Sequence, residues 1–448
     1  MENSFARLMI SGTHSGCGKT TIFCALLQAL KNRGRDVAAF KCGPDYIDPM
    51  FHARIVGAPS SNLDSFLSSE WMPALFAESA REISLAEGAM GYYDGLGQST
   101  RHSAFDVASR LQMPAVLVVD GKGSSLSLLA AMQGFLRFRE ESGIRGFILN
   151  RVTRKTYEGL KELWKEEGAK LYGYFPPLPE KYLLKSRHLG LVTAGEVQNL
   201  REMTQYLARQ AEQTLDVDGL IALAHSAPAL KAAQPPLPKL GKVRFAVARD
   251  EAFCFYYEDN FRLLQKLGGE IVFFSPLRDA QVPQADCLYL GGGYPELYAD
   301  ALEKNSSMRG SIRSAVQRGV PVFAECGGFM YLNALLDGRE TCGVLGGECF
   351  DCGKLVRFGY CTLKLKRDCL LGPAVAELRA HEFHYYDCTE NGSDAVALRG
   401  GESRPCLVAG ERLAAGFPHI HFYGNLACAE HFYRACLNFR EKRDAAKK

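Results

Sequence analysis

The feature that most constrains this chain is a glycine-rich loop between an apolar run and a helical stretch. Leu8, Met9 and Ile10 are a buried-strand candidate, residues 12–20 read Gly-Thr-His-Ser-Gly-Cys-Gly-Lys-Thr, and a helical pattern occupies residues 20–31. A strand that delivers such a loop to a helix N-terminus builds an anion cradle. Gly12, Gly16 and Gly18 let the backbone wrap closely, free amides point at the anion, and the helix dipole adds attraction. Thr13 and Ser15 complete the loop, with Thr13 standing where a strict P-loop has its first glycine. Lys19 is expected to reach the β- and γ-phosphates of ATP, and the Thr20 hydroxyl to ligate Mg2+.

Further apolar runs at residues 37–40, 115–120 and 146–150 lack alternation and are separated by helical stretches, which predicts a parallel sheet covered on both faces. Pro235, Pro236 and Pro238 then interrupt the chain, and a second α/β pattern begins at Val243, with strands at 245–248, 270–274, 287–290 and 320–324. The predicted organisation is two doubly wound α/β domains, 1–222 and 241–448, joined by a Pro/Ala-rich linker at 223–240. Hydrophobic residues, 47% of the chain, suffice for two cores, and a net charge of +3 gives no case for nucleic acid or a membrane surface. No apolar run reaches the roughly 20 residues that span a bilayer, and no cleavage signal precedes the loop. The cytoplasm is therefore the expected compartment, and the fifteen scattered cysteines are expected to be reduced, mostly as core residues.

Carboxylates cluster after the strands of the first half. Lys41 opens a segment holding Asp45, Tyr46 and Asp48; Asp64 follows in Asn62-Leu63-Asp64; Glu87 and Asp94 lie in residues 87–95. Strand C-terminal ends face the ligand crevice of a doubly wound sheet, so these groups should converge near the terminal phosphate, where carboxylates hold Mg2+ and position an acceptor.

The second half carries a nucleophile signature. Residues 322–331 read as strand, sharp turn and helix, with Cys326 at the turn. The helix dipole there should favour thiolate, and the Gly327 and Gly328 amides could receive an oxyanion. Gly292 and Gly293, after another strand, are candidate second donors. His419 and His421 are the candidate bases. Cys342, Cys349, Cys352 and Cys361 contain a single Cys-x-x-Cys pair, where a zinc ribbon needs two, and whether they bind anything stays open.

Residues 43–49, 62–64 and 87–95 resemble the cobyrinic acid a,c-diamide synthases; the first loop resembles that of dethiobiotin synthetase and its relatives, and the second half the triad class (class I) of glutamine amidotransferases. Residues 379–385 resemble a further signature of the same synthases and are placed at a domain interface or substrate cleft. The resemblance implies that Glu87 and one of Asp45 or Asp48 organise Mg2+ or phosphate, and that Asp45, Tyr46, Asp48 and Asp94 serve acyl transfer. It also implies that Asn150 contacts adenine, Cys326 attacks glutamine and His419 is its base. His421 stands where many such enzymes have a carboxylate, which leaves the third triad member open. The implied reaction is ATP-driven amidation of two tetrapyrrole carboxylates through acyl phosphates, with ammonia sequestered on an interior path. The expected partners are a cobyrinate-type tetrapyrrole, L-glutamine and ATP, with no nucleic acid or membrane and with a homodimer as the candidate assembly. The competing readings are amidation of nickel sirohydrochlorin, a ParA-like ATPase switch fused to an inert module, and CTP synthase-like amidation of a nucleotide.

Overall fold

The computed structural model describes residues 2–166, 168–182 and 194–446. The chain forms two compact units. One runs up to Pro235 without Phe66–Ser68; the other comprises Phe66–Ser68 and the chain from Pro236 onward. Within the expected linker, residues 223–225 end the helix Val217–His225, and Leu230–Lys231 pairs with Glu2–Asn3, so the first unit extends past residue 222. Among the described residues no helix is long and apolar enough to cross a membrane.

In the first unit seven strands form one parallel sheet. Its order is Ser61–Leu63, Val37–Cys42, Ile83–Glu87, Ala6–Gly12, Ala115–Asp120, Ile144–Asn150 and Lys170–Phe175. The central strand Ala6–Gly12 is buried along its whole length, and its side chains divide between two cores. Leu8 and Ile10 pack with helix Lys19–Asn32 on one face, and Met9 packs with Phe40, Ala86 and Leu117 on the other. Apolar side chains on both faces explain the missing alternation. The neighbouring strands diverge in connectivity beside Ala6–Gly12, so its C-terminal end opens at a topological switch point, where the loop sits.

The second unit has a sheet in the order Gly269–Phe274, Val243–Ala248, Cys287–Leu290, Val322–Glu325, Leu413–Gly416 and Val408–Ala409, parallel except at the last strand. An antiparallel sheet that the sequence reading did not anticipate accompanies it: Glu402–Cys406, Ala395–Arg399, Arg357–Leu365, Glu377–His384 and His419–Ile420. Residues 413–420 pass from the parallel sheet into the antiparallel one, and this crossing carries His419 away from the strand beside Cys326.

One cysteine expectation is corrected. Cys349 and Cys388 form a disulfide, because antiparallel register sets them directly opposite each other. Cys349 is therefore not grouped with Cys342, Cys352 and Cys361, and among the described residues no cluster of three or more His, Cys, Asp or Glu is arranged to hold a metal.

Candidate active sites

The loop needs its glycines for space as well as torsion. A Cβ on Gly12 would lie 2.2 Å from Cys17 Sγ and 2.8 Å from Lys19 Cγ. Gly18 caps helix Lys19–Asn32 at φ 98°, and a Cβ there would lie 2.1 Å from Asn150 Nδ2. Asn150 donates to Cys17 O at 2.8 Å and so braces the loop. Thr13 N donates to Val118 O, Ser15 and Gly16 are exposed, and Lys19 Nζ curls back to donate to His14 O at 3.0 Å.

Behind the loop lies a buried network of charges. Thr20 Oγ1 donates to Glu87 Oε1 at 2.5 Å, and His52 Nε2 lies 2.9 Å from Glu87 Oε2. Lys41 Nζ sits 3.2 Å from Glu87 Oε1 and 2.5 Å from Asp48 Oδ2. Burial works against ionisation of Glu87, but Lys41, His52 and Thr20 outweigh it and hold the carboxyl at about 2. Burial, then Glu87, pushes Asp48 up to about 6 against the pull of Lys41. Burial also disfavours the Lys41 cation, yet Glu87, Asp48 and Asp45 together raise its pKa. For Lys19 burial prevails, with Lys41 adding to it, and lowers the value.

The remaining predicted carboxylates have backbone duties. Asp45 Oδ1 accepts from Ile47 N and Asp48 N, capping helix Ile47–Val56 just beyond Tyr46, and Asn62 Nδ2 donates to Gly43 O and Asp45 O. Asp94 Oδ2 accepts from Gly91 N at 2.9 Å. Asp64 is buried just past strand Ser61–Leu63. The structure thus joins Thr20, Lys41, Asp48 and Glu87 directly, whereas Asp45 and Asp94 hold turns. An oxygen set of one hydroxyl and one ionised carboxylate beside a phosphate cradle suits Mg2+.

In the second unit Cys326 occupies the turn between strand Val322–Glu325 and helix Gly327–Leu332, at φ 47° and ψ −106°. A non-glycine residue in that conformation is strained and marks a nucleophile elbow. Two close approaches assemble the surroundings. A Cβ on Gly327 would lie 3.1 Å from Gly293 N, and a Cβ on Gly292 would lie 2.3 Å from His419 Cε1. The Gly292–Gly293 strand therefore lies against both the nucleophile turn and the imidazole of His419. Substitution at either position would displace one of them.

The expected thiolate is corrected. Burial, with Glu296 next, pushes the Cys326 thiol far up, and the Gly327 N–H on a helix of six residues does not offset it. Burial, then His381 and His384, pushes His419 down to about 3. Burial thus favours the neutral thiol and the neutral imidazole over the ion pair. His421, at the usual carboxylate position, has Nε2 3.8 Å from Asp259 Oδ2. Burial opposes the charge of Asp259, but Arg262 and His421 outweigh it.

Residues 379–385 lie mostly in strand Glu377–His384. His381 is opposite His419, Glu382 is paired with Arg404, and the His384 ring is stacked 4.0 Å from that of Phe417. Five further residues that sequence reasoning missed complete the two sites: His52, Asp259, Asn260, Tyr289 and Glu325. His52 alone had a local signal, its i+4 spacing from Asp48 on one helix.

The chain resembles proteins of one kind along nearly its whole length. Residues 8–191 match the CobQ/CobB/MinD/ParA nucleotide binding domain, and residues 244–426 match the CobB/CobQ-like glutamine amidotransferase domain. The cobyrinate a,c-diamide synthase of Listeria monocytogenes serovar 1/2a is 38% identical, covering 96% of this chain and 99% of that protein. That of Salmonella typhimurium is 38% identical over 95% of this chain and 97% of its own, and that of Thermoplasma volcanium 36% over 98% and 99%. With both domains matched in order and relatives aligned almost end to end, the chain belongs to the cobyrinate a,c-diamide synthase family.

Proposed function

We propose that this chain converts the a and c acetate carboxylates of cobyrinate or hydrogenobyrinate to primary amides, using ATP and the side-chain nitrogen of glutamine. The observation that carries the reading is that each unit holds its own assembled centre: a phosphate loop backed by Lys41 and Glu87 in the first, and the Cys326 elbow against Gly292–Gly293 and His419 in the second.

In the second unit His419 accepts the Cys326 proton as the sulfur attacks the glutamine amide carbon. The Gly293 and Gly327 amides are the candidate donors to the oxyanion. Ammonia leaves with a proton returned by His419, and water hydrolyses the thioester to glutamate. A neutral pair separates charge only when glutamine is in place. In the first unit the loop amides and Lys19 hold the triphosphate, and Asn150, which braces the loop through Cys17 O, is the candidate contact to adenine. Thr20 and Glu87 would hold Mg2+, with Asp48 tied to them through Lys41; bound there, Mg2+ neutralises charge developing on the phosphoryl oxygens. Tyr46, Asp48 and Asp64 are the candidate lining of the acceptor site, and Asp45 and Asp94 shape it through the turns they hold. An oxygen of the acceptor carboxylate takes the γ-phosphoryl group and releases ADP. Ammonia then attacks the acyl carbon, loses a proton and expels phosphate, once for each acetate. We place the reaction in the cytoplasm and take a homodimer as the assembly, which light scattering checks.

Mass spectrometry of products formed with ATP, glutamine and either cobyrinate, hydrogenobyrinate or nickel sirohydrochlorin tests the reading. Diamide from a cobyrinate-type acid is expected. Diamide from nickel sirohydrochlorin alone, or ATP and glutamine consumed without amidation, would overturn it.

A further inference from the structure

His419 lies on a strand of only two residues, and the position two beyond it, where a carboxylate would orient the base, holds His421 turned toward Asp259. The peptide groups around His419 are instead gripped from two other elements. Glu325 Oε1 accepts from Ile420 N, the peptide joining Ile420 to His419, at 2.6 Å, and Glu325 Oε2 accepts from Tyr289 OH at 2.7 Å. Asn260, on helix Glu258–Leu267, takes the other side: its Nδ2 donates to Ile420 O at 2.8 Å, and its Oδ1 accepts from Phe422 N at 2.9 Å. Glu325 and Asn260 are both fully enclosed.

We propose that Glu325 and Asn260 are positioning residues for the His419 base, acting by clamping the backbone on either side of Ile420. The inference rests on the reading of His419 as the base.

Fixing the 419–420 peptide plane fixes the torsion that aims the His419 side chain. Fixing the next peptide through Asn260 prevents the strand from rotating as a unit. Glu325 is also the residue before Cys326, and Cys326 N donates to Gly416 O at 2.8 Å in the strand that leads to His419. One side chain therefore ties the nucleophile's strand to the base's strand. Base and sulfur are held in a common frame, so the geometry for proton transfer exists before glutamine arrives. Burial pushes Glu325 up to about 8 against the pull of Ile420 N and Tyr289, which disfavours negative charge beside Cys326.

The test is steady-state glutamine hydrolysis in the full chain with ATP present, reported as kcat and KM, with thermal melts as the folding control. Asn260→Asp keeps the acceptor for Phe422 N but sets an oxygen against Ile420 O. It is expected to lower kcat about tenfold or more while KM stays within about twofold, since orientation matters most in the transition state. Glu325→Leu is expected to act in the same way. Glu325→Gln keeps an acceptor for Ile420 N, and its amide N–H can donate to Tyr289 oxygen, so kcat within about threefold of wild type is expected. The inference is overturned if Asn260→Asp hydrolyses glutamine like wild type, or if a folded Glu325→Gln loses as much as Glu325→Leu, which would mean that the acid rather than the clamp matters. Wild-type protein that hydrolyses no glutamine would instead sink the reading of Cys326 and His419, independently of the clamp.

Discussion

The two centres are built on opposite electrostatic plans. Around the phosphate loop the decisive groups are buried ions: Glu87 held near 2 and Lys41 held as a cation between it and Asp48, which burial and Glu87 raise to about 6. Around Cys326 burial prevails over the partners: a thiol pushed up, an imidazole pushed down to about 3, and a carboxyl raised to about 8. Burial acts in the same direction on both sets, always against charge, and the difference lies in the partners. Glu87 has Lys41, His52 and Thr20 within 3.2 Å, whereas Glu325 has one backbone amide and one tyrosine hydroxyl. Phosphoryl transfer needs fixed charge waiting for a polyanion. Thiol attack on an amide needs a proton to move only when substrate is present.

The sharpest way to break this contrast is to remove the ion that compensates the first centre. Lys41→Met leaves Glu87 and Asp48 buried without their cation. Amidation from glutamine or free ammonia is expected to fall by about 10³ or more, and stability to drop by about 3–5 kcal/mol in a denaturant titration. Unchanged stability would show that the network does not depend on Lys41. In the second centre the equivalent damage is steric: Gly292→Ala pushes on His419 and is expected to reduce glutaminase kcat about 100-fold. Wild-type glutaminase activity in that variant would detach Gly292 from the site.

The smallest effect is on stability against pH, and here the two centres should slope in opposite directions. The folded-state value of Glu87, about 2, lies below its ordinary 4.5, so its stabilisation is present above 4.5 and is lost as pH falls toward 2. Glu325, raised from 4.5 to about 8, binds its proton more tightly when folded, so its contribution declines as pH rises from 4.5 to 8. Urea midpoints across this range should show Glu87→Gln flattening the acid limb and Glu325→Gln flattening the decline toward pH 8. Two variants with the wild-type profile would remove the contrast.

What could be read from the sequence was what is local in the chain. The loop of residues 12–20 and the Cys326 elbow each announce themselves as strand, glycine-rich turn and helix, because such a turn fixes both the geometry and the residue types. Lys41, Asp48 and Glu87 were found because strand ends converge in a parallel sheet. The Glu325–Ile420 and Asn260–Ile420 hydrogen bonds, 95 and 160 residues apart in sequence, carry no local signal. The Cys349–Cys388 bridge spans 39 residues and depends on the register of two short strands. The thiolate expectation failed for a related reason: helix direction is visible in sequence, but the burial of Cys326, which decides the balance, belongs to the folded unit.

The most direct measurement is amidation of cobyrinate by Cys326→Ala supplied in turn with glutamine and with ammonium salt. If one unit frees nitrogen and the other activates the carboxylate, the glutamine-dependent rate falls by about 10³ or more while the ammonia-dependent rate stays within about threefold of wild type. Glutamine-dependent amidation that survives the loss of this sulfur, or a correctly folded variant that can use neither nitrogen source, would contradict the division of labour.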